Sequence, residues 1–377
     1  MLKHIARALV SKWASDLNPP SRAQQRYKVC ILKADRLGDA VLALGALRLL
    51  VSKFGEEECF IIASKWSELL FRHEFPLATI VVMPSHVTHK DLLRTGRQLR
   101  LQFGNVMCDQ FICLRHQRTD WDEILLSWVK ASAVYVLDPD KASCLEIGSH
   151  RRTIFAKVNF RVSEGADRAR PWEFNRELWR HAKLLELVLG RALDFRSTRP
   201  VLSGTTTGIR GKYILVCPFG SSLIRDFPAE LLACVLCQVE RYKHLPIQLQ
   251  SDISRRADLM ALEKVLSDQY SLEVECGTVS SVEDYIDEIA GAELVVTVDT
   301  AAAHLAVAFD RRAIILHGDA QPNEFVPWGE QKRQRWVSNS MPCRGCNWIC
   351  VHDRPYCITS VDPAMLAEAV SAVFREE

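Results

Sequence analysis

The chain lacks a dominant charge of one sign. Its 377 residues carry 48 lysines and arginines against 46 acidic residues, a formal net charge of +2. A general nucleic-acid binder carries a large basic excess, so that class is excluded and only local basic patches remain open. Long apolar runs are missing too, and no stretch approaches the length that spans a bilayer. Met1–Ser15 has no continuous apolar segment of the kind found in secretory signals. Glycine and proline are few, 17 and 15. With 48% hydrophobic and 25% charged residues, the composition excludes collagen-like, mucin-like and broadly disordered chains. There is no Gly-x-Gly-x-x-Gly, which argues against a dinucleotide-dependent oxidoreductase.

Cysteine, by contrast, is plentiful. There are 13, an odd number that rules out complete pairing within one chain. Cys30, Cys59, Cys113 and Cys217 lie inside apolar, strand-like runs, where a thiol acts as a small core hydrophobe. A reducing, cytoplasmic setting is the expectation.

The length favours two domains. Residues 1–22 read as an amphipathic helix, with Leu2, Ile5, Leu9, Trp13 and Leu17 on one stripe and Lys3, Arg7 and Lys12 elsewhere. Such a helix packs on the domain behind it or lies on a membrane surface. Strands and helices then alternate. Strands are expected at 27–32, 59–63, 79–83, 105–113 and 133–137, and helices at 40–54, 67–72, 91–103 and 121–130. A polar stretch at 141–171 precedes a long helix at 171–190. Residues 196–212, rich in Ser, Thr, Gly and Arg, read as a linker between an N-terminal domain at 23–195 and a C-terminal domain at 213–340. The alternation restarts there, with strands at 213–217, 247–250, 272–276, 294–298 and 313–316. Helices are expected at 228–242, 255–268, 282–290 and 301–309. Residues 341–377 add a cysteine-rich segment and a final helix. This pattern predicts an α/β protein of two facing Rossmann-like domains with parallel sheets.

Open parallel sheets bind ligands beyond the carboxyl ends of their strands, so the strand-to-helix turns carry the candidate chemistry. In Lys33-Ala34-Asp35-Arg36-Leu37-Gly38-Asp39, Gly38 permits close backbone approach, and Asp39 either caps the helix or faces the ligand. In Val298-Asp299-Thr300-Ala301-Ala302-Ala303-His304, small side chains at a helix start suit a diphosphate. His304 there is a phosphate donor or a structural histidine. In Pro218-Phe219-Gly220-Ser221-Ser222-Leu223-Ile224-Arg225-Asp226, Gly220, Ser221 and Ser222 offer donors and Arg225 a phosphate-gripping fork.

Three motifs are decoys or open. Asp138-Pro139-Asp140 is turn chemistry before it is a metal site. Gly204–Lys212 lacks P-loop spacing. Cys343, Cys346, Cys350 and Cys357 are spaced C-x2-C-x3-C-x6-C. Four thiolates in that pattern suit a structural zinc or iron, reversible disulfides, or unligated thiols in a compact loop.

Together these turns resemble glycosyltransferase family 9, the ADP-heptose:lipopolysaccharide heptosyltransferases and their relatives, over roughly residues 27–370. The matching segments are Asp35-Arg36-Leu37-Gly38-Asp39, Pro218–Ser222 with Arg225–Pro228, and Ala290–Thr300 with His304-Leu305-Ala306. Pro327-Trp328-Gly329 and the Cys343–Cys357 tail fit many members too. The resemblance implies a GT-B fold with a cleft between the two domains, and inverting, metal-independent sugar transfer with no cofactor required. It implies Asp39 as general base and Arg225 as stabiliser of the leaving diphosphate. It places the nucleotide diphosphate on Thr300, Ala301, Ala302 and His304, with the backbone near Cys276–Ser281 at the base. The implied partners are an ADP-heptose-type donor and a lipopolysaccharide or related glycan acceptor, with peripheral contact to the inner membrane face through the N-terminal helix. A basic surface at Arg151, Arg152, Arg168 and Arg170 would meet a phosphorylated acceptor. Three departures bear on the donor sugar. Ala301 stands where glycine is common, Asp226 where a basic residue or histidine is common, and His317-Gly318-Asp319-Ala320-Gln321-Pro322 replaces a Phe-Gly-Pro-Thr-Asp-Pro type of segment. A catalytically inactive nucleotide- or glycan-binding relative is the alternative, and a metal-dependent regulator a third reading.

Overall fold

The structure, a computed structural model, describes residues 25–83, 92–115, 122, 125–126, 128–137, 160–162, 175–202 and 213–375. The expected N-terminal helix at 1–22, the arginines at 151, 152, 168 and 170, Asp138-Pro139-Asp140 and Gly204–Lys212 lie outside those residues. The chain forms two compact units. One comprises Met1–Ala169 and Glu177–Thr198, the other Arg170–Arg176 and Arg199–Glu377.

In the first unit the elements run β1 (Gln25–Lys33), α1 (Leu37–Phe54), β2 (Cys59–Ala63), α2 (Glu68–Glu74), β3 (Thr79–Val82), α3 (Leu92–Phe103), β4 (Val106–Cys113), β5 (Lys130–Leu137), β6 (Phe160–Val162) and α4 (Arg176–Leu189). All pairings are parallel, and the strand order is β3-β2-β1-β4-β5-β6. β1 is central, which explains its apolar run Val29-Cys30-Ile31-Leu32, buried on both faces. Cys30, Cys59, Cys108 and Cys113 are all buried, as core thiols should be. α1 is buried from Ala40 to Leu47 without a polar face, so it is an interior helix.

The second unit contains β7 (Ile214–Cys217), α5 (Ala229–Glu240), β8 (Ile247–Asp252), α6 (Arg256–Tyr270), β9 (Glu275–Val279), α7 (Val282–Gly291), β10 (Leu294–Val298), α8 (Ala301–Ala308), β11 (Arg312–Leu316), β12 (Gln334–Val337), α9 (Tyr356–Thr359) and α10 (Pro363–Phe374). Its sheet is again parallel, ordered β12-β11-β10-β7-β8-β9. Numbered from its own first strand, this is the same order as in the first unit: three strands outward on one side, then three on the other. That is the doubly wound, dinucleotide-fold order. α10 packs against α5 and the β11–β12 side of the sheet, burying Leu366, Val370 and Phe374.

Several expectations shift. The helix expected from 40 begins at Leu37, so Gly38 and Asp39 are in its first turn and not in the loop. β5 starts at Lys130, not 133. β9 starts at Glu275, because Ser271 ends α6 in the left-handed region and buried Leu272 serves the core before the strand begins. β6 and β12 are strands that the pattern did not suggest. Each is an edge strand of three or four residues, too short to show a period. Of the expected 196–212 linker, residues through Thr198 form a 3₁₀ turn, Phe195–Thr198, against α1, and Thr198 is buried. Leu202 donates its N–H to the Ala308 carbonyl in the second unit.

Gly329 has φ +98, and a Cβ there would lie 2.4 Å from Val307 Cγ1 and 2.9 Å from Gln334 Oε1. Gly329→Ala is expected to lower unfolding free energy by about 2–3 kcal/mol from strain and overpacking, measured by urea denaturation.

Candidate functional site

In each unit the strand order reverses beside the first strand, between β1 and β4 and between β7 and β10. Loops leaving the two strands on either side diverge there, which makes the carboxyl edge at that point the ligand crevice of such sheets. The candidate residues lie at these reversals.

In the first unit, β1 ends on Lys33, whose side chain is only 1% exposed. Its ammonium lies 3.2 Å from Asp35 Oδ2 and 3.3 Å from Glu177 Oε1, and donates to the Leu114 carbonyl at 3.1 Å. Burial works to lower the Lys33 pKa, but Asp35, Glu177 and Asp39 outweigh it and hold the group charged, above its ordinary value. Arg115, just beyond β4, donates to Asp35 Oδ1 at 3.0 Å and to buried Asp122 Oδ1 at 2.9 Å. Glu177 also faces Arg180 at 3.4 Å and His181 Nε2 at 3.3 Å. Asp39 stands among these charges in the first turn of α1. It is not the cap, because Arg36 occupies that position. Its side chain is partly covered, and burial raises its pKa first. Asp35 and Glu177 raise it further, Lys33 and Arg36 oppose them, and the result is about 7. A carboxylate poised there is suited to accepting a proton at neutral pH. Gly38 precedes it with no side chain to block approach.

In the second unit, the β7 loop carries Arg225 back onto the β10 turn. Arg225 lies 3.1 Å from Asp299 Oδ2, donates to the Asp299 carbonyl, and donates to Ser221 Oγ at 3.0 Å. Its guanidinium sits 4.4 Å over the Trp348 ring. Gly220 is required beside it, because a Cβ there would meet Arg225 Cβ at 2.4 Å. Asp226, placed where a second basic residue is usual, accepts from the Gly220 N–H at 3.0 Å and from Arg255 at 2.7 Å. Arg255, stacked 4.2 Å over Phe219, thus supplies a cation from the start of α6. Ser222 precedes the short 3₁₀ turn Leu223–Arg225 and caps nothing with its side chain.

Thr300 is the N-cap of α8, but its hydroxyl donates to the Val298 carbonyl at 3.3 Å, leaving the first N–H groups, at Ala301 and Ala302, without a side-chain cap. Groups of this kind receive anions. His304 is buried one turn in. Its Nδ1 accepts the Trp328 indole N–H at 2.9 Å, so the proton of the neutral ring is on Nε2, 3.9 Å from Asp299 Oδ1. Burial lowers its pKa to about 4; Asp299 works against the shift and Arg225 with it. His304 is therefore both structurally held and a neutral N–H donor.

The four tail cysteines are free thiols. Burial raises the Cys357 pKa, the Asp319 backbone lowers it, and Cys346, Cys343 and Cys350 raise it again, so the four are within electrostatic reach of one another. Among the described residues, however, no three His, Cys, Asp or Glu side chains converge as metal ligands. In this arrangement the tail does not form a metal cage. It is tied to the β11 loop by Gly345 N–H to Asp319 O and Asn347 N–H to Ala320 O, at 2.8 and 2.9 Å, and it delivers Trp348 to Arg225. Lys33, Arg115, Asp122, Glu177, Arg255, Trp328 and Trp348 were not singled out as site residues from the sequence. Only the polarity of Lys33 at the end of an apolar strand signalled one of them. No described helix is long and apolar enough to cross a membrane.

Two parallel sheets of one repeated order, each with its polar residues at the reversal, define an α/β protein of the GT-B type. Residues 195–349, less than half of the chain, match the family model of glycosyltransferase family 9 (heptosyltransferase). A glycosyltransferase family 9 structure from Veillonella parvula aligns with TM-score 0.68 at 12% identity, covering 96% of this chain and 100% of that one. The E. coli heptosyltransferase WaaC with ADP-2-deoxy-2-fluoro heptose aligns with TM-score 0.57 at 16% identity, covering 86% and 97%. The iron-containing dodecameric glycosyltransferase TibC from enterotoxigenic E. coli aligns with TM-score 0.52 at 11% identity, covering 94% and 78%. At these identities the likeness is one of fold. A sequence search of the curated proteins finds no match.

Two outcomes follow from the charges. Folded Asp39 keeps its proton to higher pH than the unfolded chain, so its contribution to stability declines as pH rises from 3.8 toward about 7. Asp39→Asn should therefore stabilise the protein at pH 8 by up to about 4 kcal/mol, the shift from 3.8 to about 7 taken at about 1.4 kcal/mol per pKa unit, with the gain vanishing below pH 4 in thermal melts. His304 should show a protonated Nε2 and an unprotonated Nδ1 in ¹⁵N spectra from pH 8 down to pH 5.5.

Proposed function

We propose that the protein transfers a sugar, heptose from ADP-heptose in the first instance, to a hydroxyl of a lipopolysaccharide-core or related surface glycan, with inversion. The observation that carries this reading is the Asp39 carboxylate, held near neutral pKa at the β1 reversal. The second unit supplies the donor half. The uncapped start of α8, the His304 Nε2–H and Arg225 take the diphosphate, with Gly220, Ser221 and Ser222 beside it. To do so, Arg225 exchanges its Asp299 partner for phosphate oxygens, while Trp348 keeps the guanidinium in plane.

The acceptor oxygen attacks the anomeric carbon from the face opposite the diphosphate. The bond between that carbon and the diphosphate oxygen breaks, its electron pair leaves with ADP, and Asp39 takes the hydroxyl proton. Lys33 keeps Asp35 and Glu177 compensated, so the proton is accepted by Asp39. The step as written uses only side chains of this chain. The family match over residues 195–349 and the likeness to the WaaC structure with ADP-2-deoxy-2-fluoro heptose support heptose as the first donor to try.

Turnover of ADP-heptose and other activated sugars, with a lipopolysaccharide-core acceptor, tests the proposal. Asp39→Asn should lower kcat by roughly 10²–10⁴-fold while ADP still binds in calorimetry. The wild-type rate should fall as pH drops through about 7, following the Asp39 carboxylate. Equal turnover by the variant removes Asp39 as base. ADP binding with no turnover of any activated sugar favours the inactive, binding-only relative.

A further inference from the structure

A cavity lies in the C-terminal unit, at the carboxyl end of β11 and around β12. Its volume is about 440 Å³, within the range of small-ligand sites. None of Arg225, Asp299, Thr300 or His304 lines it. Its walls carry His317, Asp319, Arg335, Trp336, Ser338 and Arg344 among others.

Arg335 is the informative residue. Its side chain is partly buried, and its Nε is shut off from water with no hydrogen-bond acceptor. No carboxylate among the described residues pairs with it, although neighbouring Arg333 has Asp310 at 3.4 Å and Arg312 has Glu293. A guanidinium N–H buried without an acceptor is costly, and in native proteins it is normally met by a water, an ion or a ligand. Arg344, also in the lining, is only loosely compensated. Asp319 Oδ2 is 3.8 Å from its Nε and also accepts from Ser340 at 3.2 Å. The lining thus holds two guanidinium groups, of which only Arg344 has a carboxylate partner among the described residues. His317 adds no charge at neutral pH, because burial lowers its pKa; Asp299, the Gly318 carbonyl and Asp319 oppose the shift without cancelling it. The rest of the lining is an indole, hydroxyls and amides, from Trp336, Ser338, Gln321 and Gln334.

An oxyanion matches the paired guanidinium groups, and guanidinium forks favour phosphate and carboxylate. The indole face and the hydroxyl and amide groups match the C–H face and hydroxyls of a sugar ring. We infer that this cavity is a binding site for a sugar bearing a phosphate or carboxylate, held by Arg335 and Arg344 against Trp336. The site is separate from the nucleotide half-site, but Trp336 stands between His317 and His304 and joins the two. Its ring centroid is 6.0 Å from that of His317 and 6.4 Å from that of His304.

Calorimetry on the full chain with glucose 6-phosphate, glucuronate, glucose and inorganic phosphate tests this. At least one anionic sugar should bind tenfold or more tightly than glucose, and which of the two binds distinguishes phosphate from carboxylate. Saturating ADP should leave that affinity unchanged. Arg335→Gln should weaken binding by tenfold or more without altering the melting temperature. Should that variant fail to fold, Arg344→Gln at the more exposed side of the cavity should weaken binding in the same direction. Binding of neither anionic sugar, or binding unaffected by both variants, overturns the site. Inorganic phosphate binding as tightly as the sugar phosphate overturns the sugar half of the inference, and displacement by ADP overturns its separateness. These readouts use no turnover, so failure of the transferase reading leaves them intact.

Discussion

Parallel strands whose order reverses beside the first strand cannot keep their outgoing loops together. One loop turns to each side, and the carboxyl edge between them is left uncovered. Both sheets of this protein obey that constraint, with β1 beside β4 and β7 beside β10. Most of the charged groups named at these edges are placed by it. Lys33, Asp35 and Asp39 follow β1 and Arg115 follows β4, while Arg225 follows β7 and Asp299 and His304 follow β10.

The two edges solve their electrostatics differently. At the first, a fully buried ammonium is surrounded by carboxylates, and Asp39, pressed first by burial and then by the charges of Asp35 and Glu177, holds its proton more tightly. At the second, each arginine is held and compensated by an aromatic face and a carboxylate. Arg225 rests on Trp348 and Asp299, and Arg255 on Phe219 and Asp226. A proton acceptor is thereby built in one unit and an anion receiver in the other. His304 belongs to neither extreme: burial and the Trp328 N–H keep it neutral, so it gives a hydrogen bond without adding charge.

The cysteines divide along the same physical line. Cys30, Cys59, Cys108, Cys113 and Cys217 are buried strand residues that fill space. The Cys343–Cys357 tail encloses no metal-ligand cluster in this structure, and its visible contribution is geometric. It folds against Asp319 and Ala320 and sets an indole on Arg225. Metal spacing in a sequence states what thiols could reach, and the backbone path decides what they do reach.

Much of the fold was legible in the chain itself. Apolar runs such as Val29–Leu32 and Val295–Val298 can only be central parallel strands, and the alternation with helices sets two doubly wound sheets. The turn residues Asp39, Gly220, Arg225, Thr300 and His304 were legible as well, because turn chemistry is local. Short edge strands such as β12 were not, since three or four residues carry no periodic signal. Nor were the partners that give the turns their properties. Glu177 is 144 residues from Lys33, Trp328 is 24 from His304, and Trp348 is more than a hundred from Arg225. The sequence by itself determined which groups stand at the carboxyl edges. Only the tertiary structure decided their charge state, their tautomer and which of them stand unpaired. Those depend on distances through space between residues that the chain keeps far apart.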